Sequence, residues 1–222
     1  MISKTLKTGF VVLIIIVSFK FLPSKQKISI NKRFYNIVDI EPDNKPTIDT
    51  NALRLKSKEA LTFCKSNQLN QKFCVLIDMN IHSGLKRFFV WSFENDSLMD
   101  AFLVSHGCGD NAWGSDDSKD NVVFSNLFDS HCTSKGKYRI GERGISNWGV
   151  KVKYLMHGLE SSNNNALKRF IVFHSWDAVS NEDIYPLGTV EGWGCPAISN
   201  QNFLKLDSIL QNTKPSILMW IY

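Results

Sequence analysis

The chain reads as a mainly β protein, and three observations predict this. Seven short runs beyond residue 72 are rich in Val, Ile, Phe, Trp and Tyr. Clusters of Gly, Asn, Asp and Ser separate them, the pattern of strands punctuated by turns. Only two segments show apolar residues at helical spacing. At 222 residues, with 43% hydrophobic and 21% charged side chains, the chain can bury a sizeable core and is not disordered.

Lys4 and Lys7 precede an apolar run from Gly9 to Phe19, and Lys20 and Pro23 follow it. A spanning helix needs about 20 apolar residues. Residues 1–24 therefore read as a signal peptide, or as a short membrane anchor if Lys20 snorkels. Residues 25–50, with Pro42 and Pro46, read as a linker. Residues 51–72 form a helical lead-in, with Ala52, Leu55, Ala60, Leu61 and Cys64 recurring at helical spacing. The remaining domain, 73–222, carries the expected strands Phe73–Met79, Arg87–Phe93, Leu98–Val104, Tyr138–Gly141, Val150–Met156, Phe170–Phe173 and Ile217–Tyr222. Ser199-Asn200 offers a cap for a helix over Asn202–Leu210, with Phe203, Leu206 and Leu210 on one face.

The formal net charge of +5 tempts a nucleic-acid reading, and its distribution removes that reading. Seven basic and no acidic residues lie in positions 1–33, which leaves 19 basic against 21 acidic side chains in the rest. The excess belongs to a targeting segment, and the expected location is the periplasm or cell envelope.

Two cysteine sites stand out. In the first, Ser105-His106-Gly107-Cys108, the His and Cys are only two residues apart. In the second, the apolar run Phe170–Phe173 ends at His174-Ser175, and Glu191-Gly192-Trp193-Gly194-Cys195-Pro196-Ala197 follows after a loop. A nucleophilic cysteine must become a thiolate, which an adjacent imidazole promotes. His174 at a packed strand end suits that role. Gly192 and Gly194 permit a tight turn and close backbone approach. The N–H groups of Gly194 and Cys195 could face an oxyanion. The same spacing also suits a buried cysteine and a satisfied strand-end histidine, so spacing leaves both readings open. In an oxidising compartment Cys64–Cys74 and Cys108–Cys132 could pair, leaving Cys195 free. His106, Cys108, His131 and Cys132 offer zinc-type atoms, but adjacent His131-Cys132 closes one tetrahedron awkwardly and no C-x-x-C or H-E-x-x-H occurs. No metal or other cofactor is expected. Trp176 and Trp193 neighbour the proposed pair and are read as lining the site.

At these residues the sequence resembles the murein L,D-transpeptidase catalytic domain family, a branch of the YkuD-like L,D-transpeptidases. The fragments that carry the resemblance run in order over residues 73–200: Leu76-Ile77-Asp78, Lys86 through Val90, Val104-Ser105-His106-Gly107, Phe124-Ser125-Asn126 and Thr133 through Tyr138. Gly158-Leu159-Glu160, Asn165-Ala166, Arg169 through His174 and Gly192 through Ala197 follow. The resemblance implies a YkuD-like β-sandwich or barrel with one or two short helices. It implies Cys195 as nucleophile and His174 as base, although Ser105-His106-Gly107-Cys108 spells the wider superfamily's nucleophile signature. Trp193 stands where that signature has His, and Ala197 where it has Asn or Arg. The resemblance further implies that the Ser175 carbonyl orients His174, and that Ser105, His106, Gly107, Tyr138 and Trp193 line the cleft. The activity implied is transpeptidation of peptidoglycan stem peptides through a thioester, with water giving L,D-carboxypeptidation. A catalytically silent wall-binding module of the same fold and an exported cysteine hydrolase are the alternatives.

Overall fold

The computed structural model describes residues 46–222. The expected export segment, and all but the end of the expected linker, lie outside those residues. The elements run α1 (Thr50–Ser66), β1 (Phe73–Ile77), β2 (Phe88–Ser92), β3 (Ser97–Phe102), β4 (Gly136–Ile145), β5 (Val152–Gly158), β6 (Val172–Ser175), β7 (Ala197–Ile198), α2 (Asn200–Leu210) and β8 (Leu218–Ile221). The mainly β expectation holds, with eight strands in one sheet ordered β3-β2-β1-β8-β4-β5-β6-β7.

Helix α1 starts where the Asp49 carboxylate accepts from the N–H groups of Asn51 and Ala52. It buries Leu53, Ser57, Ala60 and Cys64, one stripe at helical spacing. It stops at Ser66, short of the expected 72, because Gln68 turns to a φ of 54° and the Leu69 N–H closes back on the Cys64 carbonyl. The stripe packs on Cys74, Leu76, Phe89, Trp91 and Leu218. Phe73, Val75, Ile77, Phe88 and Val90 point the other way, into the main core. Strands covered on both faces read as continuous apolar runs, which is why β1 and β2 were visible as such. Helix α2 carries the expected Ser199 cap, with the hydroxyl accepting from the Asn202 N–H. It buries Phe203, Leu206 and Leu210 against the core.

The sheet curls until its ends meet. Phe88 of β2 stacks on Phe173 of β6 with ring centroids 5.6 Å apart, although four strands separate them in the sheet. Just beyond β3, Ser105 closes the seam: its N–H donates to the Ala197 carbonyl at 2.9 Å, and its Oγ accepts from the Ala197 N–H at 3.2 Å. Edge strands β3 and β7 are thus joined through one residue, and neither presents a free edge there. The two-residue β7 is too short for any periodicity to announce. Strand β4 runs past the expected Gly141 through a register shift between Ile140 and Arg143, and its outer half is polar and exposed.

Candidate active site

The apolar side chains of β6 fix its last residues. Phe173 is fully buried, and its neighbour His174 is 8% exposed. The His174 Nδ1 lies 2.9 Å from the Ser175 carbonyl oxygen. A carbonyl only accepts, so Nδ1 carries the proton and Nε2 keeps its lone pair. The Ser175 carbonyl is itself held. The Ser175 Oγ accepts from the Val150 N–H at 2.9 Å. Gly149 packs so closely that a Cβ there would sit 2.5 Å from that carbonyl oxygen.

Cys195 faces the same cavity as His174, a cleft of about 610 Å³. Its Sγ accepts from the Val172 N–H at 3.4 Å and lies 3.7 Å from the Phe170 carbonyl. Burial pushes the thiol up, partly offset by the Val172 N–H and the charges of Arg169 and Lys153. Burial pushes His174 down; the Ser175 carbonyl counters it and the Lys153 charge adds to it. Both shifts favour a neutral thiol beside a neutral imidazole at rest. Gly194 is the glycine the turn requires. Its φ is +94°, and a Cβ would collide with the Cys132 carbonyl. A Cβ on Gly192 would meet only the Trp176 ring, at an ordinary contact distance of 3.6 Å, so its expected close approach is not seen; its backbone instead bonds to His106 and Cys108. Among the described residues, the N–H groups of Trp193, Gly194 and Cys195 have no hydrogen-bond acceptor.

Ser105, Trp176 and Trp193 line the cavity as expected. Trp193 is exposed and stacks on His131, and Trp176 joins Trp113 and Trp148 in a cluster with ring centroids 5.1–6.1 Å apart. The structure does not bring His106, Gly107 or Tyr138 to the wall. Tyr138 faces the core, because strand parity sets it with Gly136 and Ile140, and its hydroxyl donates to the Ser134 carbonyl. Gly107 is buried against the His131–Thr133 backbone. His106 is wholly buried, and an Arg87 guanidinium N–H donates to its Nδ1 at 2.7 Å. Its Nε2 N–H then donates to Ser118 Oγ at 2.9 Å, and that hydroxyl to Glu191 Oε1 at 2.9 Å. Burial and the Arg87 charge push His106 down to about 3, so it stays neutral. All five cysteines are free thiols. Neither Cys64–Cys74 nor Cys108–Cys132 is bridged, and Cys195 is the only one of the five not buried.

The L,D-transpeptidase catalytic domain family model matches residues 44–222 of this chain. The chain belongs to that family. No curated protein sequence matches it. Among solved structures, the L,D-transpeptidase (residues 123–326) from Xylanimonas cellulosilytica DSM 15894 is 10% identical, with a TM-score of 0.39 over 68% of this chain and 60% of that one. Bd1075 from Bdellovibrio bacteriovorus is 15% identical, with a TM-score of 0.41 over 68% and 48%. The helical cell shape determining protein Pgp2 from Campylobacter jejuni is 14% identical, with a TM-score of 0.42 over 67% and 46%. This L,D-transpeptidase domain thus spans 46–60% of the length of those chains.

Several residues that shape this cleft were given no role by the sequence. Gly149 and Val150 clamp Ser175 from a hairpin 25 residues away, and a single Gly after Trp148 looks like any turn. Arg169 is one residue of the Arg169–His174 run. Its guanidinium ties the 125–134 segment down by donating to the Ser125 and Cys132 carbonyls and to Ser130 and Ser134 Oγ. Glu191 sits before the Cys195 loop, fully buried, accepting from Ser115, Ser118 and Asn111.

Proposed function

We propose that this domain is an exported peptidoglycan L,D-transpeptidase in which Cys195 is the nucleophile and His174 the general base. The observation that carries the reading is the pair itself. One cavity is lined by the single cysteine that is only partly buried and by a histidine whose Nδ1 proton is pinned to the Ser175 carbonyl, leaving Nε2 to accept a proton. Membership in the family supports stem peptides as the substrate.

As the thiol attacks, its proton passes to His174 Nε2 and Sγ bonds to the carbonyl carbon of the L-centre of the diamino acid. The unpaired N–H groups of Gly194 and Cys195 receive the oxyanion. The carbon–nitrogen bond to the terminal D-alanine then breaks, the imidazolium returns the proton to the leaving amine, and a thioester remains. A side-chain amine of a second stem attacks it, giving its proton to His174, and a cross-link forms; water instead gives the trimmed peptide. A proton shuttle of this kind contributes typically about 10²–10⁴-fold. Because both groups rest neutral, proton transfer accompanies attack and no ion pair is preformed.

Incubation of the full chain with a carbapenem-type β-lactam, read by intact mass, tests the assignment. An adduct is expected on the parent protein and on Cys108→Ala, and none on Cys195→Ala. An adduct on Cys195→Ala overturns it. A defined disaccharide-tetrapeptide then separates cross-linking from trimming by product mass.

A further inference from the structure

Three cations line the cavity. Lys153, Lys168 and Arg169 line it, against one carboxylate, Asp129. Their circumstances differ. The Arg169 guanidinium is fully engaged by the 125–134 segment. Lys168 is exposed to solvent. Lys153 is half-buried on β5 and pairs directly with His174 on β6. Directly paired residues of antiparallel strands project from the same face, with Cβ atoms about 4.5–5.5 Å apart. The Lys153 stem is placed along β4, with Cε 3.9 Å from where a Gly144 Cβ would stand. Its ammonium makes no hydrogen bond or ion pair among the described residues, yet its charge reaches both His174 and Cys195. An ammonium that lines a cavity and has no counter-charge is free to pair with a ligand anion.

From this juxtaposition we infer that Lys153 binds the terminal carboxylate of the donor stem peptide. The inference rests on the reading of Cys195 and His174 given above. In that reading His174 returns a proton to the leaving amine, so the leaving residue lies against His174. The carboxyl carbon of a single leaving amino acid is two bonds from that amine, which brings it to the cross-strand neighbour of His174. A donor that continues as a longer chain, or ends in an amide, presents no anion there.

The test compares two tetrapeptide donors, one ending in a free carboxylate and one in a carboxamide, by the rate of release of the terminal residue. The parent protein is expected to prefer the acid by about 10–100-fold in kcat/KM, the range of a charge-assisted hydrogen bond. Lys153→Met should abolish that preference, and Lys153→Arg should keep it. Loss of the lysine charge also changes thiol and imidazole reactivity, which moves both donors alike; only the acid-to-amide ratio reads the contact. Labelling of Cys195 with neutral iodoacetamide and a native circular dichroism spectrum show that each variant is folded. An unaltered ratio in Lys153→Met, or no preference in the parent, overturns the lysine assignment alone. Release from neither donor by a parent protein whose Cys195 still alkylates overturns the transpeptidase reading, and this assignment with it.

Discussion

Gly149→Ala should damage the site without touching the cavity's own side chains. The added Cβ would stand 2.5 Å from the Ser175 carbonyl oxygen and closer still to the Ser175 Oγ. Carbon–oxygen contacts close only to about 3.3 Å, so relief needs a shift of about 0.8 Å at that carbonyl. The same oxygen accepts the His174 Nδ1 proton at 2.9 Å. Lengthened by that amount, the contact is no longer a hydrogen bond. His174 then loses the partner that fixes its tautomer and aims Nε2. Gly149 also has a φ of +48°, a left-handed conformation that costs an L-residue about 1–2 kcal/mol. Overpacking adds about 1–3 kcal/mol. The sum, about 2–5 kcal/mol, lowers the melting temperature by about 4–20 °C for a domain of this size. Thermal unfolding reads the first effect. The rate of acylation of Cys195, measured at 25 °C where the variant is still folded, reads the second and should fall by at least about tenfold, within the range a proton shuttle contributes. A folded variant that melts within 2 °C of the parent and acylates at the parent rate would show that Gly149 does not hold the carbonyl.

Two further expectations concern ionisation. Because burial raises the Cys195 thiol and lowers His174, iodoacetamide labelling of the free protein should rise with pH to a midpoint above the ordinary thiol value of about 8.5; a fast rate, flat down to pH 5, would mean a preformed thiolate–imidazolium pair. Asp207 accepts from Arg143 Nε and Nη2 at 2.8 and 2.9 Å and from the Tyr154 hydroxyl, and these hold its carboxyl below the ordinary range. A depressed folded value gives stability that is complete above the unfolded value of about 3.9 and is lost as pH falls through the folded one. Asp207→Asn should therefore cost about 1–3 kcal/mol at pH 7 by urea denaturation, and the deficit should shrink below pH 4. An equal deficit at pH 7 and pH 2.5 would show that the carboxylate charge plays no part.

The residues visible in the sequence were those whose role is local. Strands β1 and β2 are covered on both faces, so Phe73–Ile77 and Phe88–Ser92 read as apolar runs. His174 was found because an apolar run leads into it, although β6 starts only at Val172, past the exposed Phe170 at φ 58°, and runs through Ser175; Cys195 was found because glycine-rich backbone precedes it. What was not visible depends on contacts far apart in the chain. Ser105-His106-Gly107-Cys108 has the residue types of a nucleophile loop, yet Arg87, Ser118 and Glu191, brought in from three separate segments, enclose His106, and its burial and the Arg87 charge hold it neutral. Tyr138 was expected to line the cleft by resemblance, whereas the parity of β4 faces it inward; the alternation Gly136, Tyr138, Ile140 was present in the sequence and would have corrected the expectation. Lys153 was unreadable for another reason: a lysine on a strand is ordinary until its register against His174 is known.

The seam of the sheet accounts for the place of the candidate nucleophile. A ladder that closed fully between β3 and β7 would use the backbone N–H groups around Cys195 in strand pairing, as every interior strand does. Here the joint is made where the Gly192 backbone bonds to His106 and Cys108, and where Ser105 engages Ala197 through its N–H and Oγ, its hydroxyl 3.4 Å from the Cys195 carbonyl. The residues immediately before, Trp193 to Cys195, are left outside the ladder with their N–H groups unpaired. Unpaired donors in a partly buried loop are costly to a fold that gains nothing from them. The buried Glu191 network on one side and the Cys132 carbonyl packed against Gly194 on the other hold the loop open in that state. A loop that only connected strands would have no need of such support, whereas one that must present donors to a developing negative charge needs them fixed and unoccupied before substrate arrives. Pairing these N–H groups in a continuous ladder would therefore improve the sheet and remove the donors proposed for the oxyanion.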